Sequence, residues 1–184
     1  MAQQNTKNLV LKIFPLLMME KGYSKITVQD ILKKASIGRT TFYAHFTSKE
    51  DVLKSSIEEL RGSLLASVKN SASATDRFGF TLHFFKHIIS HHKLYDDIVG
   101  RDDFFIVERY FLRMLTELVS MELLIKEYVP AQYTKLELVI QHVVGAIWAM
   151  SIWWIERKKL SVEEVNDYFK KMTLPGLEKT LGSL

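Results

Sequence analysis

The stretch from Gly22 to Leu53, GYSKITVQDILKKASIGRTTFYAHFTSKEDVL, restricts the fold more than any other part of this chain. Thr27 is placed to cap a helix whose third residue, Asp30, can reach back to the cap in a capping box. Val28, Ile31, Leu32 and Ala35 follow at i, i+3, i+4 and i+7, one stripe of a 3.6-residue helix, and Ala35 is small where two helices must approach. Ser36-Ile37-Gly38 breaks that periodicity, with Ile37 as an apolar plug beneath the turn. A second short helix then runs from Arg39 to about Phe46. Phe42 and Phe46, four apart, point to the core, and Arg39, Thr40, Tyr43 and His45 take the more open faces. The pattern is that of a helix-turn-helix.

Ser48-Lys49-Glu50-Asp51 repeats the capping signature and starts a long helix with Lys49 in its first turn. A cation there opposes the positive end of the helix dipole unless an anion lies close by, and a DNA phosphate is one such anion.

The string resembles the DNA-binding segment of the tetracycline-repressor (TetR) family. The resemblance is carried by Gly22-Tyr23, Thr27-Val28, Ile31, Ala35, Ile37, the run T-F-Y-A-H-F from Thr41 to Phe46, and K-E-D-V-L from Lys49 to Leu53. It implies that the helix from Arg39 is the recognition helix, carried into the major groove by a homodimer. Matching positions imply base-edge contacts from Arg39, Thr40 and Thr41, and phosphate contacts from Thr27, Tyr43, His45 and Lys49. The chemistry agrees: arginine can bond guanine with two donors, and threonine can bond a base or touch the thymine methyl. Two residues depart from the family pattern. Ser36 stands where glycine is frequent, in a turn that favours positive φ. Pro15 interrupts what should be the first helix and is expected to kink or split it near Phe14, around the apolar positions Leu9, Ile13, Leu16, Leu17 and Met18.

Charge supports the same reading. Residues 1 to 50 hold Lys7, Lys12, Lys21, Lys25, Lys33, Lys34, Arg39 and Lys49 against Glu20, Asp30 and Glu50, a balance of +5 in a chain whose net charge is +4. The excess is therefore concentrated in the head, as a phosphate-binding module requires. The absence of cysteine removes disulfides, thiol catalysis and thiolate metal sites. No Gly-rich phosphate loop, G-x-S-x-G or H-E-x-x-H motif is present, and the chain is not expected to be an enzyme or to need a cofactor. His83, His87 and His91 recur at i, i+4 and i+8, but no carboxylate lies among them at ligand spacing, and no metal is expected. The apolar run Leu9 to Met19 is interrupted by Lys12 and Pro15 and is followed by no small-residue cleavage site, which favours the cytoplasm. Val143 to Ile155, even extended back through His142 and Gln141 to Leu138, barely reaches spanning length and reads as a buried helix, with no membrane partner.

Beyond Leu53 every periodic block is helical, so the fold class is all-α. A three-helix head occupies residues 1–47, and a connecting helix with a regulatory and dimerisation body occupies 48–184. The connecting helix runs to about Asn70, followed by a small-residue linker at Ser71 to Thr75. Further helices read as Arg77 to His91, a short piece near Leu94 to Val99, Asp102 to Lys126, Gln132 to Lys158, Val162 to Met172, and a turn after Pro175. Val143, Ile147, Met150 and Trp154 with Val162, Val165, Tyr168, Phe169 and Met172 of the next helix offer more apolar area than one hairpin hides, so Ile147, Met150, Trp154, Val165 and Phe169 are expected at a dimer interface. The Trp154 helix followed by L-S-V-E-E-V is similar to the C-terminal domain of a TetR subgroup of Firmicutes-type regulators. Phe104, Phe105, Phe111, Met114, Met121, Trp148 and Trp153 are residue types that line a pocket for a small hydrophobic effector, and that suit a plain core equally.

The expectation is a homodimeric, ligand-responsive transcriptional repressor that binds a palindromic double-stranded DNA operator. The alternative is a regulator that works through a protein partner instead of a small-molecule effector.

Overall fold

The computed structural model describes residues 2–70, 77–124, 133–157 and 159–181, and among these residues the regular structure is entirely helical. The helices are α1 (Ala2–Lys21), α2 (Val28–Ala35), α3 (Arg39–Tyr43), α4 (Lys49–Asn70), α5 (Phe80–Ser90), α6 (His92–Ile98), α7 (Phe104–Leu124), α8 (Tyr133–Arg157) and α9 (Val162–Leu181). The Ser71 to Thr75 linker lies outside the described residues.

Packing divides the chain into two compact units. The first joins Met1–Leu60 to Lys93–Phe111, and the second joins Arg61–His92 to Leu112–Leu184. The expected boundary at residue 47 follows the sequence order. The packed head instead keeps the start of α4 and takes in α6 and the first turns of α7.

In the head unit, α1 buries Ile13, Leu17 and Met18 of the expected stripe together with Val10, Leu11 and Phe14, and leaves Leu9 and Leu16 of that stripe exposed. The helix is unbroken at Pro15, so the expected split does not occur. One lost donor removes a single rung, and the turns on either side keep the register. Tyr23 stands edge-on to Phe14, with ring centroids 6.4 Å apart. Ile31, Leu32, Ala35, Phe42 and Phe46 are buried as their spacing predicts, Val28 of the same stripe is half-buried, and Val52 and Leu53 join this core.

The core of the second unit is aromatic. Phe85 of α5 meets Trp154 of α8 edge-on at 6.2 Å and Phe169 of α9 at 6.4 Å, and Phe78 meets Phe169 at 6.1 Å. Such pairs add to the area that they bury. The Trp154 indole N–H donates to the Leu160 carbonyl at 2.9 Å, which satisfies the polar end of a side chain only 1% exposed. Helix α9 continues through Pro175-Gly176 to Leu181, where a stop and a separate turn were expected. Ser161 caps it: its hydroxyl and backbone N–H both donate to Glu164, whose own N–H returns a bond to the hydroxyl.

By length and composition, Leu136–Arg157 is apolar enough to cross a membrane, but half of that window is buried inside the structure. It behaves as a core helix.

His87 gives this unit a pH dependence. Burial, with a smaller contribution from His91 stacked 4.3 Å away, pushes its imidazole down to about 4. The folded chain therefore resists a proton that the unfolded chain accepts near pH 6.5, so stability present above that pH is lost as pH falls. Denaturant unfolding should show a loss on the order of 2 kcal/mol between pH 7 and 5. His87→Gln should flatten that slope; an unchanged slope would assign it to other groups.

Candidate nucleic-acid interface

The turn between α2 and α3 sets the outward face of the head. Ser36 adopts left-handed dihedrals, φ 53° and ψ 43°, and its N–H and that of Ile37 close the end of α2 on the carbonyls of Lys33 and Leu32. A non-glycine residue therefore holds the positive φ that the sequence suggested, which is tolerated for one short polar side chain. Thr27 forms the expected capping box, accepting from the Asp30 N–H at 3.2 Å while its own N–H donates to Asp30 Oδ2 at 2.9 Å. The Asp30 carboxyl is held well below its usual range, first by its bond to Lys21 and then by those from Thr27.

Helix α3 is a single turn and a half, shorter than the expected run to Phe46. The Ala44 N–H still bonds Thr40, but His45 and Phe46 both donate to the Phe42 carbonyl and tighten the turn. Phe42 and Phe46 are fully buried, and this anchors the helix by one side. On the other side Arg39, Thr40, Thr41 and Tyr43 are exposed, Tyr43 by 55%, and His45 is half-buried beside them. Thr27, Lys25 and Lys33 are exposed on the adjoining segment. Gln29, which the sequence did not single out, lies with Oε1 3.5 Å from Arg39 Nη2. Its signal was available: an amide one position into α2, opposite the first residue of α3.

Lys49 is placed otherwise than expected. Its ammonium donates to the carbonyls of Tyr23 and Ser24 at 3.0 Å and of Ile26 at 2.8 Å, and it lies 4.7 Å from the centre of the Tyr23 ring. All three of its donors are committed to the turn between α1 and α2. The expected anion at the start of α4 is thus replaced by three carbonyl dipoles. Burial lowers the Lys49 pKa, partly opposed by Asp103. Burial also pushes the Tyr23 phenol up to about 12, with Glu50 adding to it. Ser48 and Asp51 share the cap of α4, with the Asp51 N–H on Ser48 Oγ at 3.2 Å and Thr47 N–H on the Asp51 carboxylate at 2.8 Å.

The other expected sites are not brought together. Phe104, Phe105 and Phe111 belong to the head unit, and Met114, Met121, Trp148 and Trp153 to the second. Phe111, Met114 and Trp148 are buried, but Phe105, Met121 and Trp153 are exposed by 62%, 46% and 48% and line no interior pocket. Composition alone could not separate those two sets. Ile147, Trp154, Val165 and Phe169 are buried as core of their own unit, and Met150 is half-buried. Instead a groove of about 350 Å³ opens between α8 and α9, with Leu138, His142, Met172 and Gly176 among its lining residues. Among the described residues no three histidine or acidic side chains gather as a metal site. His91 Nδ1 lies 3.0 Å from the His87 carbonyl, an intrahelical bond when that nitrogen carries the proton.

Removal of the Lys49 donors should leave three carbonyls in a partly buried turn without partners. Lys49→Met is expected to lower head stability by about 1–3 kcal/mol, read from hydrogen exchange of α1 and α2 amides. Exchange unchanged from the parent chain would mean that water replaces the ammonium without loss.

Comparison with known proteins bears on the same segment. Residues 17–55 match the family model described as bacterial regulatory proteins, tetR family. Over 54 residues, 29% of this chain, the sequence is 39% identical to an uncharacterized HTH-type transcriptional regulator, YxbF, of Bacillus subtilis. Over 48 residues, 26% of this chain, it is 40% identical to the HTH-type dhaKLM operon transcriptional activator DhaS of Lactococcus lactis. The matched stretches span 14% and 26% of those two relatives. Along nearly its whole length the fold is similar to a TetR transcriptional regulator from Streptococcus agalactiae, at 26% identity, 94% of this chain, 95% of that one and a TM-score of 0.61. Residues 17–55 are thus similar to the helix-turn-helix segment of the tetR family of bacterial regulatory proteins, and the fold along nearly the whole chain is similar to that of a solved TetR regulator.

Proposed function

We propose that the chain is a sequence-specific, DNA-binding transcription regulator that works as a homodimer in the cytoplasm. The observation that carries this is the open face of α3. Arg39, Thr40, Thr41 and Tyr43 stand in water on one side of a helix fixed from behind by Phe42 and Phe46. A face of planar and short hydrogen-bonding side chains suits base edges, and Lys25 and Lys33 beside it suit phosphates. Lys49 acts in this reading as a positioning residue, since its donors are already used.

The support for a dimer is the outer side of α8 and α9. Leu138, His142, Gly145, Ala149 and Trp153 recur at helical spacing and are all exposed, as are Tyr168 and Met172 of α9, Leu138 by 71% and Met172 by 64%. A face of that kind paired with its own copy presents two heads, and two heads read a palindrome. Repression relieved by a small apolar effector belongs to the same proposal and rests on the family likeness. The alternative output, activation, is that named for the dhaKLM operon activator DhaS of Lactococcus lactis, to which 48 residues of this chain are similar. A reporter placed behind the selected site separates the two by the sign of its response.

Selection of sites from random duplexes should yield a palindrome whose binding weakens steeply with salt. Arg39→Ala should then relax preference at one base position per half-site, at a cost of about 1–3 kcal/mol. A loss spread evenly over all sequences would make Arg39 a phosphate contact.

Met172→Glu places a charge on a residue that is exposed within one chain, so the fold should survive while the dimer does not. Sedimentation is expected to show folded monomer. A dimer of parental strength would move the interface away from α9.

A further inference from the structure

Two groups from the α6–α7 loop, Arg101 and Asp103, grip the end of α1 and the turn that follows it, inside the head unit. The Arg101 guanidinium donates through Nη2 to the Met19 carbonyl at 2.7 Å and through Nε to the Asp97 carbonyl at 2.6 Å. It thereby closes the last turns of two helices at once, where carbonyls have no partner within their own helix. The Asp103 carboxylate accepts the backbone N–H of Ser24 at 2.5 Å. Farther along α7, the Tyr110 hydroxyl donates to Glu50 near the start of α4, which holds the Glu50 carboxyl below its usual range.

The grip leaves no space to spare. Gly22 has φ +77° and its N–H bonds the Met18 carbonyl at 2.9 Å, and a Cβ added there would lie 3.2 Å from Asp103 Oδ2 and 3.3 Å from Arg101 Nη1. The same turn supplies the three carbonyls that Lys49 holds from α4. Thus one turn is held from both sides, by an acid that takes its N–H and a cation that takes its carbonyls. The turn leads directly into Thr27 and α2, whose far end positions α3.

We propose that Arg101 and Asp103 are positioning residues for DNA binding, so that the α6–α7 loop sets the geometry of the helix-turn-helix by clamping the α1–α2 turn. This rests on the DNA-binding reading above. Electrostatics alone predict the opposite effect for Asp103. Removal of a negative charge from a DNA-binding head should tighten binding, whereas removal of a clamp should weaken it.

The test uses the full chain and the selected duplex, with Asp103→Asn, Arg101→Ala, Arg101→Lys and Gly22→Ala compared with the exposed control Asp102→Asn. Asp103→Asn is close to isosteric and keeps an acceptor, so the fold should persist; Gly22→Ala attacks the same contact from the other side. Both should weaken operator binding roughly tenfold and speed amide exchange at residues 22–26 and in α2, with α5 and α9 unchanged. Arg101→Lys should retain more affinity than Arg101→Ala, and Asp102→Asn should bind as well as the parent or better. Equal or tighter binding by Asp103→Asn overturns the proposal, and so does faster exchange without loss of affinity, which would make the clamp structural only. A parent chain that binds no duplex removes the DNA-binding reading instead. The clamp is then judged by exchange alone: unchanged protection at residues 22–26 in Asp103→Asn overturns it, and faster exchange there upholds it.

Discussion

The head depends on one ammonium group. Lys49 stands in the first turn of α4, where the helix dipole disfavours a cation by about 0.3–1 kcal/mol, and burial lowers its pKa further. Three short bonds to the Tyr23, Ser24 and Ile26 carbonyls, a face-on contact with Tyr23 and the nearby Asp103 charge outweigh those two costs. Charge-assisted bonds are about twice as strong as neutral ones, and three on one group also fix an angle between segments. The α1–α2 turn has little regular structure of its own to define it. It takes its shape from α4, and α2 takes its entry direction from the turn.

A head built this way is not a contiguous piece of sequence. Arg101, Asp103 and Tyr110 reach residues 19, 24 and 50 across separations of 82, 79 and 60 positions. These contacts link the α1–α2 turn and the start of α4 to α7, the helix that continues into the second unit. Any change in that unit that shifts α7 therefore has a covalent path to the head beside the one through α4. For a ligand-responsive regulator, coupling requires only that the two arrangements differ in free energy for both ligands. A clamp of a few polar bonds is a suitable element for that, because it can be made or broken in steps of one bond.

The helix-turn-helix was legible because all its signals are local. Thr27 and Asp30 cap each other, Ile31, Leu32 and Ala35 share a face, and Ser36 marks the left-handed turn, each within a few residues of its partner. Lys49 was noticed for the right reason, a cation at a positive helix end, but the sequence offered no view of the carbonyls that answer it. The clamp was illegible for the same cause: Arg101 and Asp103 look like ordinary loop charges until Gly22 is placed beside them. Pro15 and Pro175 show the converse error. Each is a strong local signal, and in each case the packed helix carries through it.

The body was harder to read because α8 is apolar on nearly every side. Periodicity selects a buried face only when the other face is polar. Here Val143, Ile147, Ser151 and Trp154 turn inward while Leu138, Ala149 and Trp153 turn outward, and hydrophobicity alone does not rank the two stripes. The tryptophan pair decides it only in three dimensions, since Trp154 finds Phe85 and the Leu160 carbonyl while Trp153 finds neither. A helix apolar all round is stable in water when its second face is also covered. The outward stripe lies beside Tyr168 and Met172 of α9 and borders the groove between the two helices, so a covering surface must fit a slot as well as a stripe. A second copy carries the same stripe and the same groove, so a two-fold axis would offer both kinds of surface at once.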